Sequence, residues 1–238
     1  MKRSTSNRQG FTLVELLTVI IIIGFLAAMV AGVAPAVMKS VKETAIRAEI
    51  ENLAMALEAY KAEYGEYPPD GTDNSVVKKH IYKCYPEATN TNLYTSITPE
   101  NALYVFLGPH NANPKAPFST NPESCSSTTK PLFDFDKTRV DDSFRFMPSG
   151  CSQPFVYLKA RGATGNKSYP STGTYPVYKT EDGEYYNEET YQLVSAGLDD
   201  DWGQITSDGL IVKKGNVNSA TGNNIVNFGK KTVRDLLN

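Results

Sequence analysis

The stretch that decides the fold is GFTLVE, residues 10–15, followed by LLTVIIIIGFLAAMVAGVA, residues 16–34. The second part runs for nineteen residues without a charge. At ~1.5 Å per residue, a helix of that length nearly spans the ~30 Å hydrocarbon core of a bilayer. The sequence therefore predicts a membrane-spanning helix near the N-terminus, over residues 11–35.

Charge is distributed unevenly around this apolar helix. The 238-residue chain has 24 Lys and Arg against 26 Asp and Glu, a net charge of −2. Residues 1–10 hold three of the basic residues and no acid, so the rest of the chain carries −5. Basic residues before a membrane helix place its N-terminus in the cytoplasm. This distribution argues against an ordinary cytosolic enzyme, and the low net charge gives no electrostatic footprint for nucleic acid.

A cleaved secretory signal has the same basic start and an apolar run. The apolar segments of such signals usually have about 7–15 residues, fewer than this chain has. Ala34-Pro35-Ala36 nevertheless resembles a small-residue cleavage site. A secreted domain that begins near Val37 therefore stays open as an alternative.

Glu15 interrupts the apolar run close to its start, and no other charged residue lies between Gly10 and Met38. A carboxylate at the centre of a membrane helix costs roughly 2.5–3.5 kcal/mol, and less near an end. Each Leu, Ile, Val or Phe contributes about −0.3 to −0.6 kcal/mol, so the helix still inserts with one acid. Glu15 either lies at the membrane surface, favoured by the helix dipole, or pairs with a cation from another molecule.

Gly10, Phe11, Glu15 and the apolar run together resemble the class III signal of type IV pilins and pseudopilins. The resemblance implies that prepilin peptidase cuts between Gly10 and Phe11 and removes residues 1–10 as a cytoplasmic leader. It also implies N-methylation of Phe11 and a pairing of Glu15 with the N-terminal amine of a neighbouring subunit. A buried carboxylate is tolerated when assembly supplies such a cation.

An apolar stripe continues past the membrane segment and predicts an amphipathic stem helix over residues 36–64. Pro35 should kink or loosen this helix, and Gly65 should end it, with Pro68 and Pro69 just beyond. We expect the second half of the helix to pack on its own globular domain and the first half to pack against other copies. The stripe residues recur at the spacings of an α-helix, 4, 3, 4, 3 and 4: Ile46, Ile50, Leu53, Leu57, Tyr60 and Tyr64.

The body of the protein, residues 65–238, is predicted to be a globular domain of short strands. Residues 154–159, 175–179 and 191–196 have the composition of strands. The Asp182-Gly183 turn predicts a hairpin between the last two. The fold class is therefore α+β, a long N-terminal helix whose second half packs on a small antiparallel sheet. This is also the architecture of pilin-like folds, which the resemblance implies.

Residues 70–150 have no counterpart in the resemblance and are predicted to be an insertion. Within it, Ala102–Leu107 is apolar and predicted to be helical, whereas residues 111–130 are predicted to be a long surface loop. The segment Gly209–Lys213 has the composition of a strand. It lies in the loop between residues 203 and 222, which is longer than the corresponding loop of the pseudopilins that the chain resembles.

Two further segments, YQLVSAGLDDDWG (residues 191–203) and GNNIVNF (residues 222–228), resemble the C-terminal part of the major pseudopilin of type II secretion. In that family the loop between them holds a calcium ion. The resemblance implies a carboxylate ligand at Asp199 and a backbone-carbonyl ligand at Ala196. The family's D-P-W-G before the sheet is absent, and residues 152–155 occupy its place.

This calcium loop departs from the family at two ligand positions. The acids that precede the isoleucine in the family are Asn223 and Asn224 here, which removes two charges and weakens the expected affinity. Asp200 and Asp201 offer carboxylates from another position. A calcium-free acidic turn with the same backbone is the alternative.

Residues elsewhere give little sign of catalytic chemistry. His80 and Cys84 are four apart, which would place them on one helix face, but two ligands without further ones do not specify a metal site. The sequence contains no phosphate loop, dinucleotide fingerprint or hydrolase motif. In an oxidising periplasm one disulfide and one free thiol are expected, and the sequence does not choose among the three pairings of Cys84, Cys125 and Cys151. Three buried reduced thiols are the alternative.

The resemblance implies a structural, non-enzymatic subunit of a type II secretion pseudopilus. Such a subunit spans the bacterial inner membrane once, has its body in the periplasm and assembles into a filament. Its implied partners are its own copies, minor pseudopilins, an inner-membrane assembly platform and prepilin peptidase, and no nucleic acid. A minor pilin of a type IV pilus or DNA-uptake system is the alternative within the family, and a secreted or anchored enzyme or binding domain is the alternative outside it.

Overall fold

The structure, a computed structural model, describes residues 11–84, 96–108, 131–162, 168–170, 173–206, 209–213, 215–229 and 232–237. The chain divides into two compact units, residues 1–41 and 42–238. The predicted leader, the predicted 111–130 loop and Cys125 lie outside the described residues.

The helix α1 spans Leu13–Tyr64 and is continuous through Pro35. It ends where it was predicted to end, because Gly65 adopts a left-handed conformation with φ +82°. The backbone N–H of Gly65 donates to the carbonyl oxygen of Lys61 at 2.8 Å. Glycine reaches this conformation without a steric penalty, which is why it commonly follows the last turn of a helix.

The remaining elements are short. The described residues include three further α-helices, α2, α3 and α4, five β-strands and two 3-10 helices. The helix predicted at Ala102–Leu107 and the strand predicted within Gly209–Lys213 are both confirmed. The bounds are α2 Asn74–Cys84, 3-10 helices Lys137–Arg139 and Val233–Leu237, α3 Ala102–Leu107, α4 Ser219–Asn223, β1 Val156–Lys159, β2 Tyr178–Lys179, β3 Tyr191–Ser195, β4 Leu210–Ile211 and β5 Ile225–Val226.

Strands β1, β3 and β5 form an antiparallel sheet with β3 in the centre. The register pairs Tyr157 with Leu193 and Ser195 with Ile225. Because side chains alternate across a strand, Tyr157, Leu193 and Ile225 face the same buried cluster as the stem. The small antiparallel sheet expected beside the stem is therefore confirmed.

The second half of α1 forms the centre of that cluster, as the stripe predicts. Five of its six positions are buried, and Tyr64 is half-buried. Two charged residues beside the stripe are also partly buried and bind the body. The Arg47 guanidinium donates to the carbonyl oxygen of Val226 at 3.1 Å, and Arg139 pairs with Glu49 at 2.8 Å.

The predicted hairpin between residues 175–179 and 191–196 is wrong. Strand β2 pairs in parallel with β4 instead. The turn itself forms, with Gly183 at φ +87° and the N–H of Thr180 bonded to the carbonyl oxygen of Glu184 at 2.7 Å. The Gln192 side chain binds both backbone groups of Tyr178 at 2.9 Å, so a side chain occupies the position that a paired strand would take.

Candidate functional site

The N-terminal turn of α1 contains a reciprocal cap. The Glu15 carboxylate oxygen Oε2 accepts hydrogen bonds from the Thr12 backbone N–H at 2.9 Å and the Thr12 hydroxyl at 2.7 Å. In return, the Thr12 hydroxyl oxygen accepts the backbone N–H of Glu15 at 3.2 Å. This is the capping box, in which a Thr and a Glu three residues later satisfy backbone donors that lack helical partners.

The described part of the first unit, residues 11–41, has a largely apolar surface. All of its described residues, 11–41, are exposed, including Phe11 at 78% and Leu13 at 80%. Helix α1 is long and apolar enough to cross a membrane, judged by length and composition. A surface of this kind requires lipid or protein around it, since soluble monomers rarely expose large continuous apolar patches.

The loop predicted to hold calcium is closed by a hydrogen bond between two of its predicted ligands. The Asn223 amide nitrogen Nδ2 donates to Oδ2 of Asp199 at 2.8 Å. Gly197 brings the two segments together with φ +79°, and a Cβ at this position would overlap the backbone oxygen of Asn223. Glycine is therefore required here by both conformation and space. Ala196, whose carbonyl oxygen is the expected backbone ligand, is buried just before it.

The neighbouring aspartates bind different backbone groups. Asp200 accepts the N–H groups of Ser152 and Gln153 at 2.7 and 3.0 Å, which fastens the segment before β1 to the loop. Asp201 accepts the N–H of Gly203 at 2.8 Å within its own turn. Both carboxylates are therefore engaged with backbone N–H groups.

Asn224, the last predicted ligand, is fully buried. Its amide nitrogen donates to the Tyr178 hydroxyl at 2.7 Å and to the Trp202 carbonyl oxygen at 3.1 Å. Its Oδ1 has no hydrogen-bond partner in the described part of the chain. This amide oxygen could bind an ion but carries no negative charge. Since the two charged ligands are bound within the protein, Asp199 by Asn223 and Asp201 by the N–H of Gly203, this set of ligands does not fit calcium as it is arranged. Calcium binding stays a prediction from the resemblance.

The two described cysteines, Cys84 and Cys151, are free thiols. No disulfide joins Cys84 to Cys151 in the structure, and the two pairings that include Cys125 involve a residue outside the described part of the chain. Cys151 lies beside the calcium-type loop, where its Sγ donates to the carbonyl oxygen of Gly197 at 3.2 Å. Cys84 lies at the end of α2, with its Sγ 3.9 Å from Nδ1 of His80. The two thiols thus contact different parts of the body.

Two features of these sites were not predicted from the sequence, the capping role of Thr12 and the Asp199–Asn223 bond. A signal for Thr12 exists, since Thr-x-x-Glu before an apolar run is the capping-box pattern. No local pattern pairs Asp199 with Asn223, because 24 residues separate them. The structure adds no test of the cleavage site, since Gly10 lies outside the described residues.

Two comparisons with known proteins bear on this geometry. The family described as prokaryotic N-terminal methylation motif matches residues 5–31, which contain Gly10, Phe11 and Glu15. The type II secretion system core protein G of Pseudomonas aeruginosa is 30% identical over 112 residues, which are 45% of this chain and 79% of that protein. No solved structure matches this chain.

Proposed function

This chain belongs to the type IV pilin-like family and is related to the pseudopilins, and from that premise we propose that it is a subunit of a type II secretion pseudopilus. The observation that carries the proposal is the combination of a methylation-type N-terminus with similarity over most of core protein G. The subunit is structural, and its task is to form a filament and not to catalyse a reaction.

The exposed surface of residues 11–41 supports insertion followed by assembly. The precursor inserts into the bacterial inner membrane with its basic leader in the cytoplasm and its body in the periplasm. Prepilin peptidase then cuts after Gly10 and methylates Phe11. On leaving the membrane, the apolar surface is covered by equivalent helices of other subunits, so that it never faces water.

Small residues on this helix support close packing between subunits. Gly24, Ala28 and Gly32 are spaced four apart and lie on one helix face. A Cβ at Gly24 or Gly32 would have no atom within 4 Å. Small residues at this spacing let helix backbones approach closely in an apolar environment.

Glu15 supplies the charge that sets the stagger between subunits. Its Oε2 serves the cap with Thr12, which leaves Oε1 to accept an outside donor. We assign that donor to the methylated amine of Phe11 in the next subunit. The pairing compensates a carboxylate in an apolar filament core, where an unpaired charge is costly.

The proposed partners are other copies of this chain, minor pseudopilins, the inner-membrane assembly platform and prepilin peptidase. The stripe in the second half of α1 is buried in the core of the globular body of the same subunit. The body therefore needs no contact with other subunits to fold, and we place it on the outside of the filament. Extension and retraction of the filament would move folded proteins through an outer-membrane pore.

Deletion of the gene in the source bacterium tests the function. Secretion of folded proteins into the medium should stop and return on complementation, while surface pili and DNA uptake stay unchanged. Loss of pili or DNA uptake with normal secretion would instead assign the chain to a type IV pilus as a minor pilin. Mass spectrometry should find methylated Phe11 at the N-terminus, and a start near Val37 would establish a secreted domain and overturn the proposal.

A further inference from the structure

Three side chains of metal-binding type converge where α1 ends. Glu66 follows the end of α1, whereas His80 and Cys84 lie one turn apart on α2. Oε1 of Glu66 is 3.4 Å from Nδ1 of His80, and Sγ of Cys84 is 3.9 Å from the same nitrogen. Each residue offers one ligand atom, and the three atoms all lie within 4.8 Å of one another. Tetrahedral Zn²⁺ holds such ligand atoms ~3.3–3.6 Å apart.

His80 is held in position for this role. Its side chain is 3% exposed, and its Nε2 lies 2.8 Å from the Tyr60 hydroxyl, which fixes the ring. Metal-binding histidines usually engage their second nitrogen in such a bond.

The site is open to solvent on one side. A surface pocket of 150 Å³ lies against Glu66 and His80. Lys79, Lys83 and Lys159 also line this pocket, and its opening gives an ion a path to Glu66 and His80 and room for a water molecule. Three protein ligands and one water complete the four-coordinate geometry of zinc.

In the structure, two lysines form ion pairs with the Glu66 carboxylate. Lys83 Nζ is 2.8 Å from Oε1, and Lys159 Nζ is 3.6 Å from Oε2. The Lys83 side chain is 63% exposed, so its ion pair is weak and it turns into water at little cost. Lys159 keeps its bond to the carbonyl oxygen of Tyr67 at 2.6 Å.

We propose that Glu66, His80 and Cys84 form a Zn²⁺ site that links the segment after the C-terminal end of α1 to α2. Thiolate, imidazole and carboxylate are the ligands that zinc takes in proteins. On binding, the Cys84 thiol releases its proton to solvent and the thiolate donates to the ion, while Lys83 leaves the carboxylate. The ion thus replaces an exposed ion pair by a cross-link between two helical segments.

Cobalt titration of the full chain, purified in detergent, reduced and free of metal, tests the site. One equivalent of Co²⁺ should give a thiolate-to-cobalt charge-transfer band, and Zn²⁺ should remove it by displacement. Cys84→Ser should abolish the band. Cys151→Ser, which removes the other described free thiol, should leave it unchanged.

The carboxylate ligand is tested by a matched pair of variants. Glu66→Gln should weaken Zn²⁺ binding at least tenfold, whereas Glu63→Gln, an exposed acid one turn earlier, should bind as the wild type does. Zinc should also raise the melting temperature of the wild type and not that of Cys84→Ser, with circular dichroism as the check that both are folded. Absence of the cobalt band, or its survival in Cys84→Ser, overturns the site.

Discussion

Thr12 and Glu15 cap the first turn of α1 reciprocally, and both bonds to the carboxylate fall on the same oxygen, Oε2. Glu15 therefore has two separable properties, a capping geometry and a charge. A glutamine keeps the first and loses the second, because Gln also closes a capping box. This separation allows the proposed assembly contact to be tested without removing the helix cap.

We expect Glu15→Gln and Glu15→Ala to insert and be processed normally but to assemble poorly, since both lose the charge. Thr12→Ala should lose about 1 kcal/mol of cap stability and still assemble. Filament yield after shearing and sedimentation is the measurement, with immunoblots of the processed form as the control. Wild-type yield from Glu15→Gln would refute the pairing role.

Substitution of Gly10 should block processing of the leader. Gly10→Val should accumulate as a membrane-bound precursor that keeps residues 1–10. Gly24→Val is the matched control, because a Cβ at Gly24 meets no atom within 4 Å, and it should be processed normally. Intact mass of the purified protein distinguishes the two forms, and a mature-sized product from Gly10→Val would disprove the cleavage assignment.

The resemblance implies calcium binding by the loop of residues 196–224, whereas the Asp199–Asn223 bond predicts that the wild-type loop is insensitive to calcium. Asn223→Asp places two carboxylates in contact, which should cost about 1 kcal/mol and lower the melting temperature by ~2–4 °C. Millimolar calcium should restore it in this variant and leave the wild type unchanged.

Melting curves with calcium or with a chelator provide the measurement for this loop. Asn216→Asp adds the same charge to another loop, and we expect it to gain no calcium dependence. A rise in the wild-type melting temperature with calcium would show that the amide ligands bind the ion after all.

The stem stripe predicts that substitutions at neighbouring positions of α1 change the free energy of unfolding by very different amounts. Leu53 is fully buried and Met55 is 63% exposed on the same helix. Leu53→Ala should lower the free energy of unfolding by about 2–5 kcal/mol, whereas Met55→Ala should change it by less than ~0.5 kcal/mol. Urea denaturation of both variants measures the difference, and equal losses would contradict the packing described for the stem.

Cys151 should react slowly with alkylating reagents. Burial, together with the negative charges of Asp200 and Glu49, raises its pKa to about 11. Because the thiolate is the reactive form, the alkylation rate should rise about tenfold per pH unit between pH 8 and 10. Mass mapping after timed labelling measures this rate, and an unlabelled Cys151 under denaturing, non-reducing conditions would indicate a disulfide instead.

The α1 helix shows how far local pattern reaches. Its apolar run, its stripe and its end at Gly65 are all specified by residues close in sequence to the structure that they form. The positions of Glu15 and Thr12 follow from the same turn, so the cap was readable in principle from Thr-x-x-Glu. Helix geometry alone converts this kind of pattern into structure.

The pairing of β2 shows where local pattern fails. An Asp-Gly turn formed as predicted, yet β2 pairs with β4, and the Gln192 side chain binds the Tyr178 backbone on the opposite edge of β2. Gln192 belongs to β3, which lies between β1 and β5. A turn signal therefore specified the reversal of the chain and not its partner strand.

Local sequence patterns account for the membrane helix, the stem, the resemblance to pilins and the residue at the centre of the proposed assembly contact. The packing of distant segments brought Glu66 to His80 and Cys84, and Asn223 to Asp199. The difference follows from the range of the forces involved. Helical periodicity and capping act between residues three or four apart, whereas these groupings exist only after the hydrophobic core has set the positions of distant segments.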